Sequence, residues 1–228
     1  MNWRLRSYEK EILDQAGNSF EEIRQNMAEL NTINHLLGGH SITISGFRHI
    51  VGNRKSISVC EIGCGGGGNL EILYRWGGKR GITVNCIGVD INEDCIAFAK
   101  EQFPHANYMV GDYRKIILPI QPDIIFSSLF CHHFRNDELE EQLDWMNLHS
   151  SLGFFINDLH RHPLAYYAIR NLTAVFSNSR LVRNDAPLSV LRGFTRGDWT
   201  LLLKAAGISE AKIEWKWAFR WLVTVVKK

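Results

Sequence analysis

The chain has little proline, little cysteine, no long apolar run and almost no net charge, and each shortage removes a class of protein. No hydrophobic stretch approaches the roughly 20 residues of a spanning helix, and "MNWRLRSYEKEILDQ" at the start has no apolar segment of the kind that directs export. No membrane span and a cytoplasmic location are expected. The 5 cysteines, Cys60, Cys64, Cys86, Cys95 and Cys131, form no C-x-x-C pair and sit mostly in apolar segments. Neither a disulfide framework nor a structural zinc site is expected from them. With 26 basic against 24 acidic residues the net charge is +2, which gives no broad field to hold nucleic acid.

What is present is a chain of 228 residues, 45% hydrophobic, enough for one sizeable core. Through residues 1–50 apolar positions such as Ile12, Leu13, Phe20, Ile23, Met27 and Leu30 recur at helical steps and stop at Gly38 and Gly39. This reads as an amino-terminal helical extension, and "SITISGFRHI" as a further helix or an entry segment. From there the rhythm changes. "SISVCEIG", "TVNCIGVD", "NYMVGD", "DIIFSS" and "GFFIND" are short and nearly continuously apolar, as in strands covered on both faces. Helical stretches separate them, among them "NDELEEQLDWMNLHS", where Asn136 is placed as the cap. After the helix "FTRGDWTLLLKAAGI", the segments "EAKIEWKWAF" and "RWLVTVVKK" have no room for a helix between them and must pair as a hairpin. The expected fold is α/β: a doubly wound, mostly parallel seven-stranded sheet that ends in an antiparallel hairpin. A main domain over 51–228 would follow the extension and carry a helical lid insertion at 159–194.

The first strand runs into Glu61, Ile62, Gly63, Cys64 and four further glycines to Gly68. Glycines admit positive φ and close approach of a ligand, and the following helix presents free N–H groups. The second strand ends at Asp90, twenty-two positions beyond Gly68, where a carboxylate can accept both hydroxyls of a ribose. The third ends in "VGDYR", which sets Asp112 beside the aromatic Tyr113, a pair suited to an adenine amino group and ring. A nicotinamide-dependent oxidoreductase would share the glycines and Asp90, but it gives no role to Asp112 and no terminal hairpin.

An acid followed by G-x-G-x-G after strand one, acids after strands two and three, and the closing hairpin resemble the class I S-adenosylmethionine-dependent methyltransferases over about residues 56–228. The resemblance implies S-adenosyl-L-methionine as cofactor, with Glu61, Gly63 and Gly65 along its amino acid portion, Asp90 on the ribose and Asp112 on the adenine. Ile91 and Ser128, beside the ends of strands two and four, complete the expected cofactor contacts. On this reading the glycines give clearance for a methionine-derived tail and do not form an anion nest.

A sulfonium methyl is already electrophilic, so the protein has chiefly to align a nucleophile and, for a hydroxyl, to remove a proton. "SSLFCHHFRNDE" after strand four carries His132 and His133; His132 falls where plant-type small-molecule O-methyltransferases, which this stretch resembles, place a catalytic base. "NDLHRHPLAYY" after strand five offers a second candidate, His160. In an extended strand Asp158 shares a side with His160 and could orient it; His162 before Pro163 reads as a helix entry. No carboxylate-rich cluster is visible in the sequence, and no metal is expected.

From Leu159 to Arg196 six arginines stand against the single acid Asp185. Helix "PLAYYAIRNLTAVF" and a looser piece, "SNSRLVRNDAPLSVLRGF", would cover the substrate. Arg180 and Arg183 are the candidates for an acidic substrate group, and Tyr166 and Tyr167 for an aromatic wall. Trp215, Trp217 and Trp221 of the hairpin read as sheet packing rather than a membrane contact. The expected partner is a small molecule, aromatic and acidic, with no nucleic acid; oligomeric state is left open. The stretches "LNTINHLLGG" and "NDLHRHPLAYYAIRNLTAVFSNSRLVRNDAPLSVLRGFT" resemble bacterial methyltransferases associated with phenolic polyketide or quinone-like products. The expected reaction is therefore O-methylation of a phenolic or related aromatic acceptor. The alternatives are C-methylation of an activated or quinone-like ring, and a non-catalytic cofactor-binding regulatory module.

Overall fold

The computed structural model describes residues 3–15 and 17–227. An irregular segment leads to helix α1 (Phe20–Leu36), and Gly38, at φ 76°, turns the chain into α2 (Gly39–Val51). The alternating body follows: β1 (Ser56–Ile62), α3 (Gly68–Gly78), β2 (Thr83–Asp90), α4 (Glu93–Gln102), β3 (Ala106–Val110) and β4 (Ile124–Ser128). A 3-10 turn at Cys131–His133 precedes α5 (Asn136–His149) and β5 (Gly153–Leu159). Helices α6 (Pro163–Phe176), α7 (Arg180–Arg192) and α8 (Arg196–Ala205) lead to the hairpin β6 (Ala211–Lys216) and β7 (Arg220–Val226).

The seven strands lie in the order β3-β2-β1-β4-β5-β7-β6. All neighbours are parallel except β7, which runs antiparallel to β5 and to β6. The strand order reverses direction between β1 and β4, and in open α/β sheets ligands bind outside the strand carboxyl ends at such a point. The apolar runs of β1, β4 and β5 are buried along nearly their whole length because helices cover both faces. On one face Phe47 and Ile50 of α2 join Leu70 and Leu73 of α3 against Val59, Phe126 and Phe155. On the other, Leu143 and Met146 of α5 join Trp199 and Leu202 of α8 against Ile125 and Phe154.

Three local expectations are revised. The helical pattern foreseen from Ile12 begins only at Phe20, where Ser19 and Glu22 exchange hydrogen bonds in a capping box worth about 1 kcal/mol. Asn136 is the first helical residue of α5 and not its cap; its side-chain oxygen accepts from Arg6 Nη1 at 2.9 Å. The piece expected to be loose after residue 177 is the regular helix α7, with Pro187 inside it and Ser189 among its buried residues. Tertiary bonding outweighs the proline there: Asp185 accepts the backbone N–H groups of Ile12 and Leu13 at 2.8 and 3.0 Å, and Ser189 donates to Glu11 at 2.7 Å. At the other lid helix, His162 caps α6 through Nδ1 and Pro163 takes the first turn, as the helix-entry reading has it.

Candidate functional site

A cavity of about 1110 Å³ opens at the carboxyl ends of the strands and runs from the glycine turn to helices α6 and α7. At one end Gly63 and Gly65 hold φ of 65° and 48°, a region costly for any residue with a side chain. A Cβ on Gly63 would also lie 2.1 Å from the Phe130 ring. Asp90 fixes this turn from the end of β2, with Oδ2 accepting from the Gly65 N–H at 2.8 Å and Oδ1 from the Asn92 N–H at 2.9 Å. Helix α1 closes over the same turn, since a Cβ on Gly65 would come 3.3 Å from Met27 Sδ.

Glu61, 1% exposed, ends a buried polar relay. Asn157 on β5 donates to Thr43 at 3.2 Å, Thr43 donates to Asn69 at 3.2 Å, and Asn69 donates to Glu61 Oε1 at 2.8 Å. Glu61 Oε2 has no partner. Burial drives the Glu61 carboxyl well above the ordinary carboxylate range, the hydrogen bond from Asn69 opposes this, and the Asp90 charge adds to it. Such a group calls for a cationic or hydrogen-bond-donating partner in the cavity.

Beyond β4 the chain turns sharply at Leu129, at φ 55°, a conformation costing about 1–3 kcal/mol for a non-glycine residue. The turn delivers His132 and His133 to the cavity wall. His132 is 2% exposed, with Nδ1 2.8 Å from Asp158 Oδ1 and Nε2 3.5 Å from Glu11 Oε1. Burial works against its charged form, but Asp158 and Glu11 together lift it to about 9. For Glu11, burial favours the neutral acid, yet the two histidines and Ser189 bring it down to about 2. His133 pairs through Nδ1 with Asp14 at 3.0 Å.

Glu11 and Asp14 come from the irregular segment before α1, which is tied down along its length. Arg6 donates to the His132 and Phe134 carbonyls, and Arg192 donates to the His132 and Glu9 carbonyls. Nothing local in "SYEKEILDQ" marks these acids as site residues; long-range contacts with the turn after β4 and with α7 bring them there.

Among the cofactor candidates, Glu61, Gly63, Gly65, Asp90, Ile91 and Ser128 all line the cavity. Asp112 does not: it forms a bidentate pair with Arg114, at 2.8 Å through Nη2. Tyr113 is turned into the core against Phe130 and Trp145, and it is Phe130 that faces the cavity here.

The histidines separate. His132 and His133 stand in the cavity, whereas His160 takes the Trp215 indole N–H on its Nδ1 at 3.2 Å and lies among the rings of His162 and Trp221. Asp158 therefore orients His132 and not His160. His160 stays against Trp221, which pairs with Asp158 across the strands, but the Asp158 carboxylate is already engaged by His132 and by the Leu159 N–H.

The lid candidates also lie elsewhere. Tyr166 packs on Trp3, Tyr167 is half exposed, Arg180 pairs with Glu22 at 3.2 Å, and Arg183 donates to the Ser177 carbonyl at 2.7 Å. The face that α6 and α7 turn to the cavity is mostly apolar, built from Ala165, Ala168, Ile169, Leu172 and Val190, with Ser189 as its polar member. Trp221 packs inside, but Trp217 is 70% exposed and stands at the cavity edge.

Two polar side chains in the cavity had no sequence signal. Arg220, 3% exposed, has an unpartnered Nη1, and burial lowers it to about 10, which leaves it cationic at neutral pH. His40 has no partner on either ring nitrogen; burial first, then His35 and Arg220, lower it to about 4 and keep it neutral.

Comparison with known proteins bears on the fold that carries this site. Residues 59–149 match the family model described as "Methyltransferase domain". Trans-aconitate 2-methyltransferase of Afipia carboxidovorans is 30% identical over 70 residues, which is 31% of this chain and 26% of that protein. Among solved structures, the plantazolicin methyltransferase in complex with SAH gives a TM-score of 0.68 at 16% identity, covering 91% of this chain and 95% of that one. Human N-acetylserotonin methyltransferase in complex with SAM gives 0.63 at 18% identity, covering 92% and 56%. The α/β fold, with its mostly parallel seven-stranded sheet and antiparallel closing hairpin, is the methyltransferase fold.

Proposed function

We propose that this protein is an S-adenosylmethionine-dependent methyltransferase that methylates a hydroxyl on a small, largely apolar aromatic acceptor bearing an acidic group. One observation carries the reading: a single cavity holds the glycine turn with Glu61 and Asp90, an apolar wall under the lid helices, and the buried His132.

The residues present fit the cofactor. The unpartnered Glu61 Oε2 suits an ammonium group, Gly63 and Gly65 leave room beside it, and Asp90 stands ready for hydroxyls of a ribose. When bound, the cofactor supplies a methyl group on a cationic sulfur, electrophilic without help from the protein. The rest falls to the chain: α1, α6 and α7 exclude water and align the acceptor, and His132, held by Asp158 and lifted to about 9, takes the hydroxyl proton once it has lost its own, so transfer should rise as pH climbs toward 9. Arg220 and His40 receive the acidic group, the role expected of Arg180 and Arg183 from their clustering.

The test is incubation with isotopically labelled methyl donor and a panel of phenols, quinols, phenolic acids and non-aromatic acids. O-methylated phenolic product is expected. Label on ring carbon would replace O-transfer by C-transfer, and tight cofactor binding with no transfer to any acceptor would leave a regulatory module. Within the same panel, Arg220→Met is expected to raise KM for an acidic phenol by about 10–100-fold, the worth of a charge-assisted hydrogen bond. KM for its neutral ester should stay unchanged; equal effects on both would remove Arg220 from acid recognition.

A further inference from the structure

We infer that Glu11, His132 and His133 form a binding site for one divalent transition-metal cation of the zinc type. Glu11 Oε1 is 3.5 Å from His132 Nε2, and Glu11 Oε2 is 3.7 Å from His133 Nε2. One ligand atom from each of the three residues lies within 4.8 Å of the others. In a tetrahedral zinc site with bonds of about 2.0–2.1 Å, neighbouring ligand atoms are about 3.3 Å apart; each imidazole lies near that spacing from one oxygen of Glu11, though not the same oxygen, and the three ligand atoms together have to close by at most about 1.5 Å.

The second observation is how the imidazoles are held. His132 turns Nδ1 to Asp158 at 2.8 Å, and His133 turns Nδ1 to Asp14 at 3.0 Å. Each ring thus has a carboxylate behind it and its Nε2 aimed at Glu11. Protein metal sites hold ligating histidines this way, because a carboxylate on the far nitrogen fixes the tautomer and makes the near one more basic. Two imidazole nitrogens and one carboxylate suit zinc and its neighbours better than magnesium, which prefers all-oxygen ligands. Among the described residues no other group of three donors is so placed. The histidine pairs His35–His40 and His160–His162 also bring two rings together but belong to no such group.

Three protein ligands leave a coordination position open, and this trio faces the cavity. In its catalytic role, which rests on the methyltransferase reading, Glu11, His132 and His133 would hold a cation that lowers the pKa of the acceptor hydroxyl, so that the acceptor would bind as its phenolate after giving its proton to bulk water on entry. His132 then activates the acceptor as a ligand. Cation binding itself does not depend on that reading.

The experiment is calorimetric titration of chelator-treated, dialysed full-length protein with zinc chloride, repeated with cobalt(II) to read the ligand field optically. One equivalent is expected to bind, with a tetrahedral or five-coordinate cobalt spectrum, and magnesium chloride should not compete. Glu11→Gln and His133→Ala should each abolish stoichiometric binding, while Asp158→Asn should weaken it by about 10–100-fold. All three variants should keep wild-type affinity for S-adenosylhomocysteine, which shows that the fold is intact. No one-to-one binding, or binding that Glu11→Gln and His133→Ala leave intact, overturns the site. Undiminished methyl transfer by metal-free protein overturns its catalytic role and leaves His132 as the proton acceptor. Absence of transfer under every condition counts against the methyltransferase reading and not against the cation site.

Discussion

Replacing His132 by Asn is expected to lower kcat by about 10²–10⁴-fold, the usual worth of a positioned group that removes a proton, with S-adenosylhomocysteine affinity unchanged. Asn is the informative substitution because its side-chain NH₂ can still donate to Asp158, as Nδ1 does now at 2.8 Å, while the Nε2 that faces Glu11 is removed. Alanine would strip the buried Asp158 of its main partner, and breaking a buried ion pair from one side costs about 3–5 kcal/mol. A loss of activity in that variant would confuse unfolding with chemistry. Single-turnover transfer alongside a thermal melt separates the two. A melt near wild type with kcat within threefold of wild type would exclude His132 from the reaction.

Asp90→Ala is expected to weaken S-adenosylmethionine binding by at least about 100-fold, the equivalent of two hydrogen bonds to a charged group. The carboxylate has two tasks here: it lines the cavity, and it accepts from the Gly65 and Asn92 N–H groups that shape the floor beneath the cofactor. Asp112→Ala gives the contrast. Its carboxylate is engaged by Arg114 and stands off the cavity wall, so a change of less than tenfold is expected. Equilibrium dialysis of both variants against labelled cofactor decides the matter. Equal losses would mean that Asp112 swings from Arg114 to the adenine on binding, as the sequence alone suggests.

The two halves of the site differ in how far the sequence reveals them. The cofactor half is local: Glu61, Gly63 and Gly65 lie within one strand-to-helix turn, and Asp90 follows at a spacing fixed by one helix and one strand. The proposed acceptor half is assembled across the chain. Glu11, His40, His132 and Arg220 come from the leading segment, α2, the turn after β4 and β7, and no short-range pattern links them. Alternation argues for Asp158 orienting His160, but that carboxylate is taken by His132, brought from the turn after β4, and His160 is bonded to Trp215 instead.

The arginines of the lid show the same limit. Their clustering in sequence suggested a common anionic ligand, but their partners are carbonyls and acids of the protein. Arg161 holds the Gly193 carbonyl and Asp198, Arg192 the His132 and Glu9 carbonyls, and Arg180 Glu22. A guanidinium is as well suited to fastening an irregular segment as to gripping a substrate, and only the fold says which.

By itself the sequence determined the alternating α/β body, the closing hairpin, the glycine turn and the carboxylate at Asp90, because hydrophobic period and strand-end chemistry are short-range properties of the chain. Tertiary structure alone decided that residues 3–15 run across the turn after β4 and bring Glu11 to His132. It also decided that Asp158 serves His132 instead of His160, and that Arg220 brings a buried guanidinium to the cavity. Those choices depend on which distant groups can satisfy a buried charge, and a buried charge is settled by its three-dimensional neighbours rather than by its neighbours in sequence.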